Sequence, residues 1–124
     1  MKYIFDNSQP IYQQIVERIQ LSIARGEFLP GAKVMPVREL ALEFNVNPNT
    51  MQRALAKLED MKYLFSERTS GRYVTNNLEL IESLKAEIPA RITKKYVTDM
   101  VDAGMKGMDI PGYVARYIES NEGD

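Results

Sequence analysis

The sequence predicts a mainly α-helical protein with one small β-hairpin. Two short helical patterns in the first half are separated by only a few residues, which is typical of two helices joined by a tight turn. Two short strand patterns then enclose a loop that contains Gly71. After this hairpin, apolar residues recur at helical spacing almost to the end of the chain. The predicted order is helix, helix, helix, hairpin and a short helical tail.

The first helix is predicted over about fifteen residues, the length of its apolar pattern. Pro10 suits a first helical turn, and isoleucines recur at four-residue steps from position 11 to position 23. Gly26 supplies the C-terminal stop. Lys33 and Val34 are too few to form more than a minor strand.

The second and third helices are short and closely spaced. The second follows Pro36 and ends near Asn45. At the start of the third, the Asn47 carboxamide can accept from the free backbone amides, and Pro48 has no amide to leave unpaired. The predicted buried face of the third helix consists of Met51, Ala54, Leu55, Leu58 and Met61.

The hairpin and the tail complete the chain. The predicted strands, residues 63–66 and 72–75, flank the loop 68–71, and the helical stripe of the tail runs from about 78 to 104. Because Pro89 removes a hydrogen bond to the carbonyl of Lys85, we expect a kink or a break near Ile88. Gly104 is a predicted C-cap, and Asp109 is predicted to cap a last helix. We divide the chain into a domain of residues 1–75 and a tail of residues 76–124.

The composition excludes several classes of function. The 124 residues include no Cys and no His, which excludes disulfides, thiol nucleophiles, thiolate or imidazole zinc sites and a histidine general base. No nucleophile paired with a base, phosphate-binding glycine loop or carboxylate cluster is visible, so we expect no enzyme activity, metal or cofactor. The first residues lack the apolar segment of a signal peptide and no apolar run approaches ~20 residues, so we expect a cytoplasmic protein without a membrane partner.

The charge is unevenly distributed along the chain. A sequence pI of about 5.6 and a net charge of -1 argue, for the whole chain, against a nucleic-acid partner. Residues 10–75, however, carry nine Lys and Arg against seven Asp and Glu, whereas residues 76–124 carry six against nine. The acidic average therefore does not exclude nucleic-acid binding by the first part.

The predicted order of elements is the winged helix-turn-helix arrangement, in which a recognition helix enters the major groove of DNA. With its apolar residues inward, the third helix turns Asn49, Arg53 and Ala56 outward, with Thr50 and Gln52 on the flanks. Amide, hydroxyl and guanidinium groups read bases and contact phosphates. Such side chains also occur on any solvated helix, and it is the surrounding motif that favours DNA.

Five segments of the chain resemble the GntR family of bacterial transcription regulators: PIYQQI at 10–15, IARGEFLPG at 23–31, VRELA at 37–41, VNPNTMQRAL at 46–55 and RTSGRYV at 68–74. The resemblance covers residues 10–75 without a gap. The NPNT opening of the third helix, the RTSGR wing and the short tail resemble in particular the YtrA subfamily. Members of that subfamily are small dimeric repressors that often control ABC-transporter operons.

The resemblance also implies which residues meet DNA. They are Arg38, Asn47, Asn49, Thr50, Gln52, Arg53, Thr69, Ser70, Gly71 and Arg72. Two alternatives stay open at this point: an ion pair of Arg38 with Glu39, Glu43 or a tail carboxylate, and a purely conformational role for Gly71.

The chain departs from the family pattern at two places. The family usually has Leu-Pro-Ser before the second helix, where this chain has Val34-Met35-Pro36. The serine that would cap the second helix and contact a phosphate is therefore missing. Lys62 stands where the family commonly has a glycine after the recognition helix, so the turn into the wing is expected to differ.

The tail is too short for a separate ligand-binding domain, and its apolar stripe must be buried against this chain or against a second copy. Burying about half a dozen side chains at ~1.5–3 kcal/mol each would sustain a dimer. A two-fold dimer would also read a palindrome with half-sites about one turn apart. The predicted dimerisation residues are Leu84, Ile88, Ile92, Tyr96, Met100, Val114, Tyr117 and Ile118.

The leading hypothesis is a sequence-specific, DNA-binding transcriptional regulator: a dimeric repressor acting on a palindromic operator near its own operon. The alternative is a winged-helix protein-interaction module without DNA binding, which the acidic pI and acidic tail favour. The expected partners are double-stranded DNA and a second copy of the chain. The sequence leaves open whether a small-molecule effector binds.

Overall fold

The computed structural model describes residues 5–6 and 8–121. Its elements are α1 (Ile11–Ala24), α2 (Val37–Phe44), α3 (Pro48–Asp60), β1 (Leu64–Glu67), β2 (Gly71–Val74), α4 (Leu78–Asp102) and α5 (Ile110–Asn121). A 3-10 turn, Gly107–Asp109, directly precedes α5. The predicted order of elements is confirmed, and each strand lies one residue from its predicted position.

The core of the first half is built around α3. Helices α1 and α2 pack against α3, and β1 contacts it from the hairpin. The predicted inward face is confirmed at four residues that are fully shielded from solvent, Met51, Ala54, Leu55 and Leu58, whereas Met61 is half-buried. Apolar side chains from the other two helices complete this core, among them Ile15, Ile19, Leu40 and Phe44. Because α3 is held on three sides, only its remaining face is available to a partner.

The hairpin forms a wing, and a short third segment of the chain pairs with it. Strands β1 and β2 are antiparallel, with Leu64 opposite Val74 and Glu67 opposite Gly71. Lys33 forms a single bridge with Tyr73. The Val34 amide donates to the Arg72 carbonyl over 2.9 Å, and the amide of Val74 donates to the carbonyl of Ala32 over 2.9 Å. The short stretch before α2 therefore lies along β2 as the predicted minor strand.

Four of the helices end in the same way, with a residue of left-handed backbone just beyond the helix. These residues are Gly26 (φ 82°), Asn45 (φ 57°), Lys62 (φ 75°) and Gly104 (φ 106°). After α3, the Lys62 amide donates to the Glu59 carbonyl and the Tyr63 amide to the Leu58 carbonyl, each over 2.9 Å. These paired bonds satisfy the last carbonyls of the helix and turn the chain directly into β1.

The chain divides into two compact units, and the division differs from the predicted boundary after residue 75. The first unit ends at Lys85 and the second begins at Ala86. The first turns of α4 belong to the first unit, where Ile81 and Leu84 are buried, with 5% and 0% of their surface exposed. The first unit thus extends ten residues beyond the predicted boundary.

Helix α4 continues without a break from Leu78 to Asp102, with Pro89 in its interior. Of the predicted kink or break near Ile88, the break is therefore wrong, and the kink stays a prediction. A proline removes one backbone hydrogen bond and disturbs one carbonyl, whereas a helix of 25 residues retains its other bonds on both sides. The described residues contain no helix long and apolar enough to cross a membrane.

The second unit consists of the C-terminal part of α4 with the 3-10 turn and α5. Its two helices flank an open apolar groove of about 810 Å³, around which Tyr96, Tyr113 and Tyr117 are arranged. Of the predicted dimerisation residues, Ile92, Tyr96, Tyr117 and Ile118 are exposed, and Met100 and Val114 are half-buried. The remaining two, Leu84 and Ile88, are already buried within the chain, so they have little apolar surface left to cover in a dimer.

Candidate nucleic-acid interface

The start of α3 is fixed by its own first residues. The Asn47 side-chain oxygen accepts a hydrogen bond from the Asn49 amide over 2.7 Å, and Pro48 occupies the first helical position. This confirms the predicted cap. This bond uses the side-chain oxygen of Asn47 and not its amide N–H donors, so the predicted DNA contact of Asn47 stays a prediction.

The free face of α3 carries the predicted recognition side chains. Asn49, Gln52 and Arg53 are exposed, and Thr50 is half-buried at the edge of this face. Ala56, one turn further along, is also exposed and adds no bulk that would keep a duplex away. Carboxamide and guanidinium groups that project from the first turns of such a helix can make bidentate hydrogen bonds with base edges.

Arg53 is held by a residue that the sequence reasoning missed. Its guanidinium carbon lies 3.9 Å from the centre of the Tyr12 ring, near the start of α1. A contact between two helices leaves no signal in the periodicity of either one, so the spacing of apolar residues could not reveal it. The tyrosine within the PIYQQI segment was the available clue.

Arg38 projects from the first turn of α2 and is exposed. Within residues 5–6 and 8–121, no ion pair of Arg38 is present, which removes the alternative of a partner among Glu39, Glu43 and the described tail carboxylates. The N-cap of α2, Pro36, makes no side-chain capping bond. The absence of a capping hydroxyl agrees with the departure from the family pattern at this point.

The tip of the wing exposes Arg68, Thr69 and Ser70. Gly71 has a φ of +124°, a value that side chains rarely adopt, and a Cβ built there would lie 3.3 Å from Lys33 Cε. The Ser70 and Tyr73 hydroxyls are 2.8 Å apart and share a hydrogen bond. The backbone conformation of the turn therefore favours glycine at position 71. The side chains exposed at the tip belong to the three residues before it.

Arg72 makes an internal ion pair within the domain. Its guanidinium forms an ion pair with Glu59 at the end of α3, with side chains that are 20% and 28% exposed. The same carboxylate oxygen accepts a hydrogen bond from the Ser66 hydroxyl over 2.9 Å. Arg72 thus has a structural role, in which Glu59 joins the recognition helix to both strands of the wing. Its predicted contact with DNA stays a prediction.

Comparison with known proteins identifies this framework. The family model described as "Bacterial regulatory proteins, gntR family" matches residues 11–74, from the start of α1 to the end of β2. The chain belongs to the GntR family. Like its relatives in this family, it is a DNA-binding transcriptional regulator and not an enzyme.

Two curated relatives from Bacillus subtilis also match the tail. YhcF, an uncharacterised HTH-type regulator, is 34% identical over 101 residues, which is 82% of this chain and 84% of YhcF. YtrA, an HTH-type transcriptional repressor, is 32% identical over 102 residues, covering 81% of this chain and 78% of YtrA.

Solved structures resemble this chain over most of its length or over a shorter part of it. A GntR regulator from Listeria monocytogenes superposes with a TM-score of 0.80 at 38% identity over 90% of this chain and 98% of that one. The AraR DNA-binding domain, solved in complex with operator ORX1, matches with a TM-score of 0.52 at 28% identity over 60% of this chain and 92% of that one.

Proposed function

We propose that this GntR regulator is a dimeric repressor of the YtrA subfamily that binds a palindromic operator near its own operon. The observation that carries the proposal is the free face of α3, where Asn49, Gln52 and Arg53 are exposed. The AraR domain of similar fold is bound to an operator in its crystal structure. The similarity to YtrA, which is named a repressor, supports repression and the assignment to its subfamily.

The second unit supports dimerisation of this regulator. Its two helices carry large apolar side chains that remain exposed, among them Ile92 and Tyr117, each with 61% of their surface accessible. Leaving such an apolar face in water is unfavourable, and a second copy would cover it. Dimerisation would place two recognition helices on a two-fold axis, as a palindromic operator requires. The resemblance to the YtrA subfamily points to ABC-transporter genes as the regulated operon.

Fluorescence anisotropy tests this proposal with a labelled duplex from the region upstream of the regulator's own operon. We expect Arg38→Ala and Gln52→Ala each to weaken binding about tenfold, because each removes a polar contact to the duplex. The control is Arg25→Ala, which removes the same charge as Arg38→Ala at the C-cap of α1, outside the predicted DNA-binding residues. We expect this control to bind like the unmodified protein.

The salt dependence of the same titration distinguishes the proposed function from its alternative. Each phosphate contact lowers the logarithm of the affinity by about 0.9 per unit of log salt concentration, so wild-type binding should weaken steeply as salt rises. An affinity that is insensitive to salt and to DNA sequence would instead support the protein-interaction module without operator binding.

A further inference from the structure

The contact between Tyr12 and Arg53 connects α1 to the recognition face of α3. The Tyr12 ring is half-buried, whereas the Arg53 side chain is exposed. The 3.9 Å between the guanidinium carbon and the ring centre is a van der Waals contact, within the range of a cation–π interaction. Among the described residues, no carboxylate forms an ion pair with Arg53. The ring is therefore the group that holds this guanidinium in place.

This contact lies on the free face of α3 itself. Tyr12 and Arg53 border a shallow hollow of about 350 Å³ whose other walls are Pro10, Ile11, Asn49 and Thr50. The hollow thus joins the start of α1 to the first two turns of α3. A guanidinium that rests on a ring in this position still presents N–H groups at its rim, which are the groups that contact guanine or phosphate.

An arginine that is free in solution loses rotamer freedom when it binds a base or a phosphate. That loss opposes binding, and it is smaller when the side chain is already held in its bound position. Tyr12 lies on a different helix from Arg53, and α1 packs against α3, so the ring is a fixed support. Its face attracts the positive charge without competing for the N–H donors, as a carboxylate would.

We propose that Tyr12 is a positioning residue for operator recognition: its ring holds the Arg53 guanidinium in the orientation in which Arg53 meets DNA. The proposal rests on the proposed operator binding and adds α1 to the elements that determine it. Tyr12 acts through Arg53, so removing the ring matters only while Arg53 is present.

A double-mutant cycle on operator affinity tests this coupling. The variants are Tyr12→Leu, Arg53→Ala and the two combined, measured by fluorescence anisotropy on the upstream duplex. We expect Tyr12→Leu to weaken binding about two- to fivefold, the size of an exposed cation–π interaction. In the Arg53→Ala background, the same change should have no further effect. Tyr12→Phe keeps the ring face and should bind like the unmodified protein.

The outcomes separate positioning from a structural role. A tyrosine that mattered only for packing, or contacted DNA by itself, would weaken binding equally with and without Arg53, and this additive result would overturn the proposal. Unchanged binding by Tyr12→Leu would do the same. If the unmodified protein did not bind the duplex at all, the proposed operator function itself would fail. An additive cycle in a protein that binds the duplex would overturn only the role of Tyr12.

A measurement on the free protein checks the geometry without DNA. The ring current of Tyr12 should shift the Arg53 Hδ resonances upfield in the NMR spectrum, and this shift should persist in Tyr12→Phe and vanish in Tyr12→Leu. Arg53 resonances unaffected by Tyr12→Leu would contradict the contact. Thermal unfolding of every variant verifies that it is folded, and Tyr12→Met replaces Tyr12→Leu in both experiments if the latter unfolds.

Discussion

At the scale of single residues, Lys62 adopts a backbone conformation that its side chain opposes. Its φ of 75° lies in the left-handed region, which costs a residue with a Cβ roughly 1–2 kcal/mol. The two paired amide bonds at the end of α3 maintain this conformation. The family's usual glycine would adopt it without strain, so the departure at this position lowers stability while leaving the turn intact.

We expect Lys62→Gly to stabilise the regulator. Relief of the left-handed strain exceeds the greater flexibility of glycine in the unfolded chain, which leaves a gain of about 0.5–1 kcal/mol. The melting temperature should rise by about 2–5 °C in a calorimetric scan. Lys62→Ala is the matched control, since it removes the charge and keeps the Cβ, and its melting temperature should stay near that of the unmodified protein. An equal rise for Lys62→Ala would show that charge, and not backbone strain, determines stability here.

Two predicted DNA-binding residues illustrate a limit of residue-level prediction. Asn47 and Arg72 have side chains suited to DNA, yet Asn47 caps α3 and Arg72 pairs with Glu59. Side chains of these types make internal contacts as readily as nucleic-acid contacts. The type of residue therefore does not reveal the internal contact, and the position of the nearest partner does.

At the scale of elements, Glu59 joins the recognition helix to the wing. It lies in the last turn of α3 and contacts Ser66 of β1 and Arg72 of β2. Because one carboxylate contacts both strands, it helps to fix the orientation of the hairpin relative to α3. A winged regulator needs this orientation to be fixed, since the wing and the helix must reach the same duplex.

We expect Glu59→Gln to loosen the wing. The substitution preserves size and removes the charge, which should lower stability by about 1 kcal/mol and increase hydrogen exchange of the β1 and β2 amides. The control is Glu67→Gln on β1, where the side chain is exposed and the same charge is removed. If both variants exchanged alike, the carboxylate of Glu59 would not be what holds the hairpin.

At the scale of the whole molecule, the balance of charge follows the two units. The exposed cations of α2, α3 and the wing include Arg38, Arg53 and Arg68, all in the first unit. The acidic excess lies in residues 76–124, mostly in the second unit. An acidic pI is therefore compatible with a DNA-binding protein, because only one unit has to meet phosphate.

The proposed dimer gives a prediction at the same scale. Ile118 of α5 is 54% exposed and belongs to the predicted dimerisation set. Ile118→Lys places a charge where apolar contact is expected and should convert the dimer to a monomer at micromolar concentration, as measured by light scattering. Glu119→Lys, on the neighbouring polar side of α5, should remain dimeric. A concentration-independent monomer mass for the unmodified protein would refute the dimer.

Dimer disruption should also change how the operator is read. A dimer binds both half-sites of a palindrome, whereas a monomer binds each half independently. Ile118→Lys should therefore lose affinity for the full palindrome and keep its affinity for an isolated half-site. Equal losses on both duplexes would place the effect in the DNA-binding unit.

The sequence by itself determined the order of elements, the inward face of α3, the cap at Asn47 and the exposed polar side chains that follow it. These features depend on local chemistry: apolar spacing, capping residues and turn-forming glycines act over a few neighbouring positions. The segments shared with the GntR family extended this prediction to Arg38 and the wing, including Arg72, which pairs with Glu59 in the structure.

Only the tertiary structure decided which side chains meet across the chain. It placed Tyr12 on Arg53, paired Glu59 with Arg72, buried Leu84 and Ile88 within the chain, and carried α4 through Pro89. Each of these outcomes depends on how separate segments pack or on how many bonds a long helix retains. Periodicity reports which face of an element is apolar but not what that face contacts, because the contact is made by residues distant in sequence.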